Sequence, residues 1–205
     1  PLEVEAQEHG AYIIGYDNGN FGPEDNMTRG EAAAIFARLL SQRKGEHIYP
    51  TTYAAYTDIP SGAWYGGYAR YLTSYGVTYG RGNGLFAGEE YISRAEFVTM
   101  AVRFFSVYGD GDPAIMGQYK DFDDVFPGYW AARYIQEAAA YGWVKGDGTG
   151  LFRPEATITR SEVVVIVNRL LGREADVDYI RSNLRKLVTF PDIARQHWAY
   201  WDVME

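Results

Sequence analysis

"GDGTGLFRPEATITRSEVVVIVNRLL" (Gly146–Leu171) joins a glycine-rich loop to a helix start and an apolar helical period. After Thr159, residues Val163, Ile166, Val167, Leu170 and Leu171 recur at helical spacing, and Gly172 supplies a stop. Thr159 and Glu162 form a T-x-x-E capping box: the hydroxyl takes the N3 amide, and the N3 carboxylate takes the N-cap amide. Ile158 before the cap and Val163 at N4 complete it as a hydrophobic staple. Two upstream stretches align without a gap, "GYDNGNFGPEDNMTRGEAAAIFARLL" from Gly15 and "GRGNGLFAGEEYISRAEFVTMAVRFF" from Gly80. Thr28 with Glu31 and Ser93 with Glu96 repeat the box, after Met27 and Ile92. Glycines recur at Gly19, Gly84 and Gly150, phenylalanines at Phe21, Phe86 and Phe152, and late arginines at Arg38, Arg103 and Arg169.

A second kind of segment alternates with the first. It starts at Tyr56, Phe122 and Phe190, and an Asp precedes a Trp by six residues in each: Asp58 and Trp64, Asp124 and Trp130, Asp192 and Trp198. The chain opens on a loop-and-helix half and closes on an Asp–Trp half. Residues 1–205 therefore read as a single domain. Residues 56–105 and 122–172 are complete units, and 10–40 and 190–205 are the second and first halves of a split one. A half-unit cannot bury its apolar face alone, so the C-terminal segment is expected to close on the N-terminal one in a ring of three. The periodicity predicts an all-helical fold, with connections over 41–55 and 106–121. Residues 174–189 hold an extra helix whose acids come early and bases late.

Arg29, Arg94 and Arg160 fall at N1, beside helix amides that carry partial positive charge. A cation there opposes helix stability three times over. Either an anionic ligand, held by the arginine together with free helix amides, or an ion pair to Asp58, Asp124 or Asp192 would account for it. On the first alternative, Arg→Ala weakens ligand binding and leaves the melting temperature unchanged. The tryptophans sit at helix starts with apolar followers, which favours core packing over a sugar-stacking surface. For the three aspartates, capping or pairing is favoured over accepting a sugar hydroxyl.

Composition narrows the class. The 205 residues are 47% hydrophobic and 16% aromatic, enough for a sizeable core. The formal net charge of -8 argues against a broad grip on nucleic acid or an anionic membrane. No apolar run approaches the ~20 residues of a membrane span. Without cysteine there are no disulfides and no thiolate metal sites. No signal peptide is present, and a chain that starts at Pro1 reads as a fragment or processed product. The acidic Gly loops at Asp17 and Asp147 suggest calcium, but counted from Asp17 the spacing fails, since Gly19 and Thr28 stand where ligands are needed, and the middle repeat has no Asp there. "YGDGDP" from Tyr108 is a weaker metal candidate. His9, His47 and His197 do not recur across repeats and no nucleophile motif is present, so no enzyme, cofactor or metal is expected.

The run "FDDVFPGYWAARYIQEAAAYGWVKGDGTGLFRPEATITRSE" (Phe122–Glu162) resembles the S-layer homology (SLH) family, whose modules share an F-x-D-V…W-A…Y-I…G…F-x-P…I-T-R-A-E pattern. The likeness covers nearly the whole chain and recurs three times. It implies a three-lobed, pseudo-threefold helical assembly in a Gram-positive-type, extracellular, cell-wall or S-layer-associated protein. The implied role is non-covalent anchoring to an anionic secondary cell-wall polysaccharide or peptidoglycan-linked polymer, often one carrying pyruvylated N-acetylmannosamine. By the same resemblance, Arg29, Arg94 and Arg160 contact the anion in grooves between lobes. The alternative is a protein-interaction or S-layer assembly module using those grooves, and in either case a monomeric domain of a larger exported protein. The chain departs from the pattern at Gly30, Ser161 and Ser93. It also has Gly88 where its other repeats have Pro23 and Pro154, and Arg81 where Asp147 stands, which implies an altered second groove.

Overall fold

The computed structural model describes residues 12–49, 56–109 and 120–205. Residues 10 and 11, parts of both connections and most of the Tyr108–Pro113 metal candidate lie outside them. Among the described residues there are seven helices and no strands. They are α1 (Arg29–Lys44), α2 (Gly66–Ser74), α3 (Arg94–Tyr108), α4 (Ala132–Ala140), α5 (Arg160–Leu170), α6 (Val177–Asn183) and α7 (Tyr200–Met204). The fold is all-α, in three lobes around a pseudo-threefold axis, with the third unit completed by the two ends of the chain. The extra helix in 174–189 is α6, capped by the Asp176 side chain on the Tyr179 amide.

The axis is built from backbone. Met27 N–H donates to Ile158 O at 3.0 Å, Ile92 N–H to Met27 O at 3.0 Å, and Ile158 N–H to Ile92 O at 3.2 Å. These three staple residues are fully buried, as are Ala32, Phe97 and Val163 at N4. Each of the three long helices leaves the axis with its capping box formed: Thr28, Ser93 and Thr159 accept from the N3 amides, and Glu31, Glu96 and Glu162 accept from the N-cap amides.

The N1 and N2 amides are also paired, each with a carbonyl of the next repeat's loop. Arg29 N–H donates to Glu90 O and Gly30 N–H to Gly88 O; Arg94 N–H to Ala156 O and Ala95 N–H to Pro154 O; Arg160 N–H to Asp25 O and Ser161 N–H to Pro23 O. Each long helix thus starts against its neighbour's loop, and the donors a helix end normally leaves open are consumed in joining repeats.

Two registers interlock. Helices pack as α1 on α2, α3 on α4 and α5 on α7, so each lobe takes consecutive helices of the chain, apart from the inserted α6. The sequence units are joined differently, each through its aspartate. Asp58 accepts from the amides of Phe86 and Ala87 at 2.8 and 2.6 Å, and Asp124 from those of Phe152 and Arg153 at 2.8 and 2.7 Å. Asp192 accepts from Phe21 and Gly22 at 2.8 and 2.7 Å, across 170 residues of chain. The ring pairs Tyr56–Phe86, Phe122–Phe152 and Phe190–Phe21 pack in tilted contact beside these clips, with centroids 5.2, 5.4 and 5.4 Å apart. Tyr12 Oη adds a further closure, donating to Asn168 Oδ1 at 2.6 Å, while Asn168 Nδ2 donates to Asp202 O at 3.0 Å. Every unit therefore bridges two lobes, and neither register can open without breaking the other.

The clip fixes the residue after each phenylalanine in the left-handed region: Gly22 at φ 69°, Ala87 at φ 59° and Arg153 at φ 60°. Only the first repeat places a glycine there, so Ala87 and Arg153 hold this conformation against steric cost.

The departures at Gly30 and Gly88 have a packing cause. Tyr65 is buried where the other repeats have Ala131 and Ala199. A Cβ on Gly88 would lie 2.1 Å from the Tyr65 ring, and one on Gly30 would lie 2.9 Å from it. The large ring and the two glycines are one exchange, made where the other repeats pair alanine with proline.

Removing residues 190–205 should abolish a single cooperative melt, because it strips the clip, the Phe190 ring and α7 from the closed ring. Asp192→Ala alone should cost about 2 kcal/mol, the loss of two charge-assisted hydrogen bonds at an exposed carboxylate. Burial works to raise the Asp58 and Asp192 carboxyls, but the amides of Phe86 and Ala87, and of Phe21 and Gly22, outweigh it and hold them below the usual range. A depressed carboxyl stabilises the fold above its unfolded pKa, and that stability is lost as pH falls through the folded value. Melting temperature should therefore drop on acidification below about pH 4, and less steeply in Asp192→Ala. In a neutral-pH melt, Ala87→Gly should gain up to about 1 kcal/mol.

Candidate functional site

The N1 arginines leave their own helix ends and reach the neighbouring repeat. Arg29 Nε donates to Phe86 O at 2.8 Å, Arg94 Nε to Phe152 O at 2.9 Å, and Arg160 Nε to Phe21 O at 2.8 Å. Each guanidinium also lies about 5 Å over the same phenylalanine ring. Arg29 and Arg160 are only 3% and 4% exposed. The charge at N1 is thus a strut between repeats.

This corrects two expectations. The N1 and N2 amides are bonded to loop carbonyls, so they are not free to hold an anion. The ion-pair partners are not Asp58, Asp124 and Asp192, whose oxygens are taken by the clips. They are the capping glutamates of the next helix: Arg29 pairs with Glu96 at 3.1 Å, and Arg94 with Glu162. Arg160 differs. Among the described residues no carboxylate lies within ion-pairing distance of it; its Nη2 donates to Ile14 O at 2.8 Å, and Tyr16 covers it at 4.6 Å.

The tryptophans are not core residues. Trp64, Trp130 and Trp198 are 52%, 55% and 59% exposed. The position after each indole enters the core instead, as Tyr65, Ala131 and Ala199. Each indole stands at the rim of a recess between lobes that also holds one N1 arginine. The recess at Trp64 measures about 280 Å³ and is lined by Arg160, Arg38 and Glu31. At Trp130 it measures about 470 Å³, with Arg29, Arg103 and Glu96, and at Trp198 about 190 Å³, with Arg94, Arg169 and Glu162. The recurring late arginines had no assigned role in the sequence. Their constant spacing of nine residues from the N1 arginine was the available signal. Arg38 stacks on Tyr68 at 5.2 Å and Arg103 on Tyr134 at 4.9 Å, while Arg169 Nη1 donates to Trp143 O at 3.1 Å.

The recesses differ in charge. Arg81 enters the Trp130 recess and grips Glu96 through Nε and Nη2 at 2.8 and 3.1 Å, so Arg29, Arg81 and Arg103 there face one carboxylate. Burial works to raise the Glu96 carboxyl, yet Arg81 and Arg29 hold it below its ordinary value. Arg94, Lys145 and Arg169 face Glu162 at Trp198. At Trp64, two arginines meet Glu31 and Asp17. All three arrangements suit a small carboxylate-bearing group with a flat apolar face: guanidinium edges for the anion and an indole for the face.

A sequence profile of the S-layer homology domain matches residues 5–33, 55–98 and 121–164, more than half of the chain. The cell surface glycoprotein 1 of Acetivibrio thermocellus is 34% identical over 97% of this chain and 8% of its own length. The cellulosome-anchoring protein of the same bacterium is 33% identical over 97% of this chain and 42% of its own length. The surface-layer 125 kDa protein of Lysinibacillus sphaericus is 29% identical over 82% of this chain and 14% of its own length. The chain thus spans less than half of each of these relatives. With three profile matches in the register that builds the ring, the chain belongs to the S-layer homology family.

Proposed function

We propose that this domain anchors a larger protein to the bacterial cell wall by holding an anionic sugar of a secondary wall polysaccharide in the recesses between its lobes. The family places the domain at the cell surface. The observation that carries the finer reading is the threefold recurrence of one arrangement: an N1 arginine, buried at Arg29 and Arg160 and partly buried at Arg94, a second arginine nine residues on, and a half-exposed indole. Pyruvylated N-acetylmannosamine fits this chemistry, since it offers a carboxylate for the guanidinium edges and a ring face for the indole.

The protein's own charge of -8 repels a polyanion at long range. Recognition therefore depends on contacts inside the recess. The arginines are immobilised during folding by the phenylalanine carbonyls, so little side-chain entropy is lost when a ligand arrives. Asp58, Asp124 and Asp192 serve this reading indirectly, as clips that shape the loops carrying those carbonyls. The protein-interaction alternative would place an acidic peptide terminus at the same guanidinium edges.

Sedimentation with native cell-wall sacculi and with sacculi stripped of secondary polymer separates these readings. Co-sedimentation with native sacculi only is expected. Equal binding to both preparations would point to peptidoglycan itself, and binding to neither would favour a protein partner. Trp64→Ala, Trp130→Ala and Trp198→Ala should each weaken binding to native sacculi with a change in stability below about 1 kcal/mol, because the rings are half in solvent. Arg160→Ala should lower both binding and melting temperature, since it deletes a buried strut.

A further inference from the structure

Beyond the three recesses, the first lobe holds a larger cleft of about 820 Å³ between the end of α1 and the start of α2. It is not a separate hollow: Trp64 and Arg38 line both this cleft and the Arg160 recess. Trp64 therefore stands between two spaces. Its ring meets Tyr65 and Tyr68 edge-on, at interplanar angles of 86° and 64°, so these neighbours do not stack on its faces.

The cleft exists because residues beside the indole are small. Ala63 and Gly67 stand where the second repeat has Tyr129 and Arg133 and the third has His197 and Trp201. In the third repeat that space is claimed, since Trp201 packs under the Arg181 guanidinium at 5.2 Å. At Gly67 an added Cβ would meet only Ile48, at 4.0 Å. The lining is polar and mixed: Gln42, His47 and Arg70 face the space along with Arg38 and Tyr68. The Glu46 carboxylate at its edge accepts from the hydroxyls of Tyr71 and Tyr75 through one oxygen, at 3.0 and 2.6 Å, and these bonds favour its ionised form, so the cleft offers a ligand two arginines against one carboxylate. The volume lies within the ~300–1,000 Å³ range of small-molecule sites. An aromatic wall with amide, imidazole and guanidinium donors is the chemistry that receives a hydroxylated ring.

We infer that this cleft is an accessory saccharide subsite, particular to the first lobe, which takes the sugar unit adjoining the one held at Arg160. The two units lie on either side of Trp64, and Arg38 reaches both. The inference rests on the wall-polymer reading of the recesses and adds to it a preference for longer polymer at one lobe.

Calorimetric titration of the whole domain with purified secondary-polymer fragments of one and of two sugar residues tests it. The two-unit fragment should bind about tenfold more tightly, equivalent to about 1.4 kcal/mol. Gly67→Leu fills the floor without adding a ring or a charge, and Arg70→Gln removes one donor and introduces the residue of the second repeat. Each should erase the tenfold gain and leave one-unit affinity unchanged, with thermal melts showing both variants folded. A gain that survives both substitutions overturns the subsite, since bridging between recesses would then explain it. Equal affinity of the unaltered domain for both fragments overturns it too, and leaves the recess reading intact. Failure to bind either fragment sinks both.

Discussion

Three peptide groups, those of Met27, Ile92 and Ile158, hydrogen-bond head to tail around the axis, and the remaining structure follows from that ring. Each group donates to one neighbour and accepts from the other, so two repeats cannot satisfy the set. A missing third would leave a donor and an acceptor orphaned among fully buried side chains, at about 1–3 kcal/mol each. The ring also decides where the long helices begin. Once the staple residues meet at the axis, the next residues must be N-caps. The N1 and N2 amides then point at the adjacent loop, whose carbonyls are there to take them.

The arginine at N1 makes sense only inside this ring. On an isolated helix it would sit against the positive end of the dipole. Here each helix start is faced by two carbonyls from the next loop and by its own capping glutamate. The side chain itself turns across the boundary to a third carbonyl. The same residue therefore ties lobe to lobe through its Nε and lines the recess in which binding is proposed. Substituting it perturbs fold and site together. The tryptophans, which contribute little to the core, report on the proposed binding more cleanly.

The repeat register, the capping boxes and the helical class were legible because they rest on local periodicity and on side chains three residues apart. Closure of the ring was legible from the order of the half-units. What lay beyond reach depended on contacts between repeats. No spacing shows that Arg29 will meet Glu96 rather than Asp58, because both pairings satisfy the charge. Nor does local sequence show that Trp64 stays out while Tyr65 goes in. An apolar helix start looks the same whichever of two adjacent residues faces the axis, and the choice shows only once α2 is docked on α1. Gly88 looked like damage to a groove for a similar reason: the Tyr65 ring it accommodates lies 23 residues away.

The three repeats share their buried contacts and diverge at their rims. Every carbonyl, clip and cap is repeated, whereas the position held by Tyr16, Arg81 and Asp147 carries three different chemistries. Tyr16 covers Arg160, Arg81 crowds Arg29 and shares its glutamate, and Asp147 turns away to Arg153 at 2.7 Å. Ring closure constrains the first set, because one failed contact leaves polar groups unpaired in the core. The rim positions touch solvent and carry no such penalty. A pseudo-symmetric ring thus keeps one architecture while its recesses differ in charge and size, and in the first lobe Ala63 and Gly67 leave the indole open on its second side.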